Sequence, residues 1–205
     1  MCIRDRPPIL NYVSYRSNFS DTTRATSGSE ITLKIETNKE IQTPNGTILG
    51  QSTQVSGLGN NIWQLSYIAQ SNDNEGVVTF QLNNTYDISG NPGSGTTSTT
   101  NNSNVILDNT AAILNPVRVN SSNVDSNFAK VGDTISITYV SDDYLTSHNV
   151  TISDRITLIE DLGIKKYVAR YIFQDEDFDI EGEVFFDILV TDTLGMVSDL
   201  SLIHI

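Results

Sequence analysis

The chain says nearly the same thing twice. Residues 28–35, Gly-Ser-Glu-Ile-Thr-Leu-Lys-Ile, return as residues 132–139, Gly-Asp-Thr-Ile-Ser-Ile-Thr-Tyr. In each copy a turn glycine opens strict alternation of apolar and polar residues, the period of two that marks a strand with one buried face. With Ile9 set against Ile113, the same offset of 104 residues matches Leu10, Asn11, Val13, Ser17, Asp21, Ala25, Gly28, Ile31, Thr47, Ile48, Thr53, Gly59, Tyr67, Gln70 and Asp73 to identical residues without a gap. Two tandem copies of one domain follow from that register.

Each copy reads as about seven short strands separated by turn signals, with no amphipathic helical stretch, which predicts a β-sandwich. In copy one the inner faces are Ile31, Leu33 and Ile35; Trp63, Leu65 and Tyr67; and Val78, Phe80 and Leu82. Burying Ile31, Leu33 and Ile35 stabilises by about 1.5 to 3 kcal/mol each, and a one-residue slip would expose all three. In copy two the same faces are Ile135, Ile137 and Tyr139; Tyr167, Ala169, Tyr171 and Phe173; and Val184, Phe186, Ile188 and Val190. Expected strands there include 150–153 and a single strand at 156–159. Residues 89–104, rich in Gly, Ser, Thr and Asn, read as a flexible surface loop of copy one. Residues 105–107 then close that copy, and residues 108–112 join the two with little slack.

The two ends stand apart from the repeat. Residues 1–6 back-translate to ATGTGTATAAGAGACAG and residues 200–205 to CTGTCTCTTATACACATCT, which are complementary strands resembling the mosaic-end adapter of transposon-based sequencing libraries. Both hexapeptides are therefore expected to be adapter scars. That leaves residues 7–108 as repeat 1 and residues 109–199 as repeat 2, the second without its native last strand. Residues 200–205, whose Leu200, Leu202 and His204 alternate, are expected to pair beside residues 183–191 in its place. The only cysteine, Cys2, and one of the two histidines, His204, fall within the end segments. The formal charge is -13, and it becomes more negative without Arg4, Asp5 and Arg6. Such an acidic chain is suited neither to nucleic acid nor to an anionic membrane, both of which are negative. No apolar stretch is long enough for a membrane-spanning helix.

Residues 129–135, Ala-Lys-Val-Gly-Asp-Thr-Ile, and residues 186–195, Phe-Asp-Ile-Leu-Val-Thr-Asp-Thr-Leu-Gly, resemble the bacterial immunoglobulin-like repeats strung together in large surface adhesins and secreted proteins. Copy one matches through Gly28 and through residues 87–91, Asp-Ile-Ser-Gly-Asn. The chain departs from the pattern at the junction, where Ala111-Ala112 stands in place of a frequent Ala-Pro pair. The resemblance implies an all-β chain of two tandem immunoglobulin-like β-sandwiches, located outside the cell or on its surface. Its function would be that of a non-catalytic spacer or adhesion module, with neighbouring repeats of the same chain as partners and a host or surface protein or glycan as a further one. Two alternatives stay open: an accessory module of a secreted enzyme, and a calcium-stabilised ligand-binding module.

Residues that carry chemistry are scarce. A hydrolase triad or zinc site needs His or Cys, and only His148 remains between the end segments, expected at the surface beside a turn. No phosphate-cradling loop is present, because Gly57-Leu58-Gly59 opens no helix. Trp63 and Tyr167 hold equivalent places on an alternating strand, so they read as core rather than as a sugar-binding platform. Phe185 and Leu189 fall on the outer face. The metal candidates are acidic: Asp175, Asp177, Asp179 and Glu181 on alternate residues, and Asp108 with Asn109 at the junction. Calcium takes six to eight oxygens, which closely spaced Asp, Glu and Asn can supply, although the run lacks the glycine position and distal glutamate of an EF-hand. A solvated turn is the competing reading, and the copy-one counterpart is residues 72–76, Asn-Asp-Asn-Glu-Gly.

Overall fold

The structure is a computed structural model, and it describes residues 6–174 and 182–203. Among the described residues all regular structure is strand, and no helix occurs. The chain divides into two compact units after Asn109.

Unit 1 contains β1 (Leu10–Ser17), β2 (Arg24–Ala25), β3 (Glu30–Thr37), β4 (Gly46–Ile48), β5 (Gln51–Ser52), β6 (Gln54–Gly59), β7 (Ile62–Ile68), β8 (Gly76–Val77), β9 (Phe80–Leu82) and β10 (Ile106–Leu107). One layer is the antiparallel sheet β1-β3-β7-β6. The other comes in two pieces, β5-β4-β9 and β2-β10-β8, with hydrogen bonds from Val78 N to Val105 O and from Leu49 N to Thr79 O at the break. Ile31, Leu33, Ile35 and Leu65 from the first layer meet Ile48, Phe80, Leu82 and Leu107 from the second in one buried cluster. The two layers therefore pack face to face around a single core.

Unit 2 contains β11 (Leu114–Ser121), β12 (Thr134–Ser141), β13 (Leu145–Ile152), β14 (Arg155–Ile156), β15 (Leu158–Asp161), β16 (Lys166–Ile172), β17 (Phe185–Asp192) and β18 (Val197–Ile203). Its sheets are β11-β12-β16-β15 and β14-β13-β17-β18. Lettered along the chain, these are A-B-E-D over C-F-G with a two-residue C′ stub, the strand order of a constant-type immunoglobulin domain. Unit 1 carries the same order with its F strand divided into β8 and β9 and with an added short strand, β2, parallel to its G strand β10. The chain is thus all-β, two tandem immunoglobulin-like sandwiches.

The alternation expected of the inner faces holds: Ile31, Ile35, Ile135, Ile137, Tyr139, Ile188 and Val190 have no exposed surface. Two boundaries differ. The strand expected at 150–153 begins earlier, at Leu145. The single strand expected at 156–159 is two strands in different layers, β14 against β13 and β15 against β16. Thr157, between them, is where the chain changes sheets. Its hydroxyl donates to Val150 O at 2.8 Å and its N–H to the same oxygen at 3.1 Å. In unit 1 Thr53 sits between β5 and β6, and its hydroxyl donates to Gly46 O at 3.1 Å. The threonine shared by the two copies thus ties the crossing back to strand C.

The repeat register also ends inside the structure. Ile48 and Ile152 are equivalent at the offset of 104, but their partners Phe80 and Phe186 are 106 apart. Copy two therefore has two more residues than copy one between its E and F strands. In unit 2 the last position of the sheet is taken by β18, with Leu200 opposite Ile188 and Leu202 opposite Phe186, as the alternation of that segment predicts.

Residues 89–104 run along the sandwich. Pro92 bridges Tyr86 and Thr96 bridges Leu82, continuing the hairpin from β9. Thr100 N donates to Val13 O at 2.9 Å, while Val13 N donates to Thr100 Oγ1 at 3.0 Å and Tyr15 N to Ser103 Oγ at 2.8 Å. These groups belong to the edge of β1 that β3 leaves unpaired, and covering an edge removes a template for wrong pairing.

Thr157→Val keeps the shape of the crossing and removes only the buried hydroxyl. Val150 O retains the Thr157 N–H, so the expected loss is about 1 kcal/mol, read as a lower denaturation midpoint of unit 2 at unchanged m-value.

Candidate functional site

The chemistry-bearing residues lie in three places. The first is the side of the unit 2 core around His148. This residue lies within β13, half-buried, and not at a surface turn as expected. Alternation carries its side chain toward Tyr139 of β12 and Tyr167 of β16. The ring centroids of His148 and Tyr167 are 4.4 Å apart, and those of Tyr139 and Tyr167 are 5.5 Å apart and stacked. The Tyr139 hydroxyl and His148 Nδ1 are 2.8 Å apart. Burial pushes the Tyr139 hydroxyl well above its ordinary pKa, with Tyr167 adding to the rise, so it keeps its proton. In the Nε2–H tautomer it donates to Nδ1. Burial lowers the pKa of His148, against an opposing pull from Asp161. The ring is thus held neutral as part of the core, and among the described residues no carboxylate hydrogen-bonds it as a triad would require.

The second place is the F–G turn, which sequence reasoning quoted for resemblance and gave no role. Asp87 and Asp192 are both buried; Asp192 ends β17, and Asp87 follows β9 in an isolated bridge to Ile41. Asp192 Oδ1 accepts from Leu194 N and Met196 N at 2.8 and 2.9 Å. Asp87 Oδ1 accepts from Asn91 N at 2.8 Å, and its other oxygen meets Lys39 Nζ at 3.2 Å. Hydrogen bonds from the Asn91 side chain and backbone, together with Lys39, hold the Asp87 carboxyl down at about 2. Gly90 and Gly195 complete the two turns at φ of 84° and 83°, a conformation that favours glycine. A buried aspartate before such a turn was visible in both copies as Asp-x-x-Gly.

The third place holds the acidic candidates. Asp175, Asp177, Asp179 and Glu181 lie outside the described residues. The copy-one counterpart and the junction are brought together: Glu75 Oε1 accepts from Asn109 N at 2.9 Å. Asn109 Oδ1 accepts from Ser27 N at 2.6 Å, and Asp73 accepts from Gln70 N at 2.7 Å and from the Tyr67 hydroxyl at 3.0 Å. These oxygens are engaged as acceptors for protein N–H and O–H groups. Asp108 contributes its N–H to Ala25 O at 3.0 Å. Among the described residues no group of three or more His, Cys, Asp or Glu side chains is placed to hold a metal.

Of the aromatic candidates, Tyr167 is buried, and Trp63 is half-buried against the unit 1 core with its ring over Gly57. Phe185 and Leu189 are exposed, on the outer face that alternation assigns them.

Neither a family model nor a curated protein matches the chain. Among solved structures it is similar to a titin fragment, at 9% identity and a TM-score of 0.39, covering 97% of both chains. It is also similar to the fibronectin(III)-like modules of CbhA from Clostridium thermocellum, at 8% identity and a TM-score of 0.34, covering 96% of this chain and 92% of that one. A tandem pair of titin Ig domains matches at 12% identity and a TM-score of 0.31, over 96% of this chain and 94% of that one. At such values the strand order above, rather than the likeness, defines the fold.

A histidine kept neutral by the fold binds fewer protons than the unfolded chain, whose histidine titrates near 6.5. Its contribution is complete above that value and declines as pH falls toward the depressed folded pKa. Thermal melts between pH 7.5 and pH 5 are expected to show the unit 2 transition falling, and His148→Phe is expected to flatten that dependence.

Proposed function

We propose that the chain is a non-catalytic, extracellular spacer or adhesion module of a large bacterial surface or secreted repeat protein, with neighbouring immunoglobulin-like repeats as its partners. The observation that carries this reading is the duplication itself. The same A-B-E-D over C-F-G order occurs twice, with Asn109 ending unit 1 and β11 starting at Leu114. Side chains that a hydrolase would use are committed to structure, His148 to an aromatic stack and Asp87 and Asp192 to turns. Each sandwich on this reading holds its neighbours at a set distance, and specific contact with a host or surface protein or glycan belongs to the array.

Spin labels at Gln54→Cys and Asn149→Cys, on exposed strand positions and with Cys2→Ser, report the spacing directly. A narrow distance distribution is expected. A broad one would remove the fixed-distance mechanism while leaving the fold intact.

Calcium at the acidic run, or at Asp108 and Asn109, would stiffen such an array. The engaged oxygens of Asp73, Glu75 and Asn109 support the solvated-turn reading for copy one. That reading expects the same melting temperature in EDTA and in millimolar calcium, whereas binding to the folded state would raise it in calcium. Loss of such a rise in Asp177→Asn with Asp179→Asn would assign the ion to the run.

A further inference from the structure

A long run joins the F and G strands of unit 1, and that run walls a groove. Two hollows of about 760 and 640 Å3 adjoin across Gln81 and Thr97, which line both. The first is bounded by Asn45, Asn83, Asn84, Tyr86 and Gly95. The second has Tyr15 and Phe80 along its base and Thr47, Thr79, Asn102 and Asn104 around it. Each volume falls in the range of about 300–1,000 Å3 common for small-ligand sites.

The lining is unusual for this chain. With 25 acidic and 12 basic residues in the sequence, no charged residue lines either hollow. The wall is prebuilt. Gly95 sits so close to β9 that a Cβ would lie 2.2 Å from Leu82 O, and its N–H donates to Asn84 Oδ1 at 3.1 Å. Asn83 Nδ2 donates to Asn45 Oδ1, orienting both amides. Within the run, Thr96 Oγ1 donates to Ser98 O and accepts from Ser98 N, Thr99 Oγ1 donates to Ser103 O, and Ser103 Oγ donates to Asn101 Oδ1. Tyr15 is 4% exposed, its ring against Phe80, and its hydroxyl has no hydrogen-bond partner among the described residues. A buried hydroxyl without a partner is costly and uncommon in a folded domain. At the other end Tyr86 is 44% exposed and offers a ring beside the row of amides.

We infer that this groove binds a neutral oligosaccharide segment. Sugar hydroxyls donate and accept, which the amides of Gln81, Asn102 and Asn104 and the hydroxyls of Thr47 and Thr97 match, while the C–H face of a pyranose packs on an aromatic ring such as Tyr86. An anionic ligand would find no cation in the groove to bind it. A peptide adding as a strand would need an open sheet edge, and beside β9 that edge is already taken where Thr96 pairs with Leu82. The inference leaves the spacer reading untouched, because a sandwich holds distance whether or not its groove is filled, and it narrows the adhesion reading to neutral glycans and to a groove of unit 1.

Affinity electrophoresis of the full chain tests it, in gels containing mixed-linkage β-glucan, xylan, galactomannan or dextran, with polygalacturonate as the acidic control. At least one neutral polysaccharide is expected to retard the chain and polygalacturonate is not. Tyr86→Ala and Gln81→Ala, both at exposed positions, are each expected to weaken retardation about tenfold, and Phe128→Ala in unit 2 to leave it unchanged. Amide chemical-shift changes in the wild-type chain at Gln81, Asn83 and Asn84 with the retarding polysaccharide provide a readout without mutation. Absence of retardation by all four neutral polymers overturns the inference. So does retardation that survives both groove substitutions, or shift changes that miss the groove.

Discussion

Each sandwich depends on its B strand, β3 or β12, because that strand is paired on both sides and carries the apolar row that the opposite layer must cover. Ile31, Leu33 and Ile35 in one unit and Ile135, Ile137 and Tyr139 in the other are at most 1% exposed. With a side-chain period of two, moving the register by one residue would place three large apolar groups in water and three polar ones in the core. The A and E strands are therefore locked to it, β1 and β7 in unit 1 and β11 and β16 in unit 2. Gly28 and Gly132, at φ of 87° and 86°, start these strands, and their N–H groups donate to Ala69 O and Phe173 O just beyond the E strands. The turn glycine thereby also sets the level at which strand E ends.

Much of this was legible because the repeated letters do local work. Asp21 and Asp125 accept from the backbone two residues on, at Thr23 N and Asn127 N. Thr53 and Thr157 bond strand C at the sheet crossing. These contacts span few residues or join positions that keep the same offset, so identity between copies marks them without any knowledge of the fold. The alternating inner faces were legible for a similar reason: burial of one face is written in the strand itself.

What stayed hidden depends on contacts between distant positions. The division of residues 155–161 into strands of two sheets follows from Thr157 meeting Val150, and an apolar run such as Ile156-Thr157-Leu158-Ile159 gives no local sign of it. His148 looked like a turn residue because its neighbours are polar. Its place is decided by Tyr139 and Tyr167, which reach it across two strands and hold its ring neutral. Where copy one has Ile35, Trp63 and Pro44, the offset brings Tyr139, Tyr167 and His148 together, so the two cores fill one shape with different chemistry. The acidic candidates divide along the same line, since residues 72–76 and Asn109 meet only through folding.

The run at residues 89–104 joins a loop-like composition to specific contacts with the sandwich. Gly, Ser, Thr and Asn signal a chain that cannot bury apolar surface, and that much holds, for the run contributes no side chain to the core. Short polar side chains nevertheless bond backbone groups readily, and Thr100 and Ser103 do so along β1. Glycine at 95 permits an approach to β9 that any Cβ would block. The same features that read as a surface loop thus let the run lie against an existing sandwich. The run therefore lies where the framework bears little load, and it is there, rather than on the strands that hold the fold, that a binding function can be added at small cost in stability.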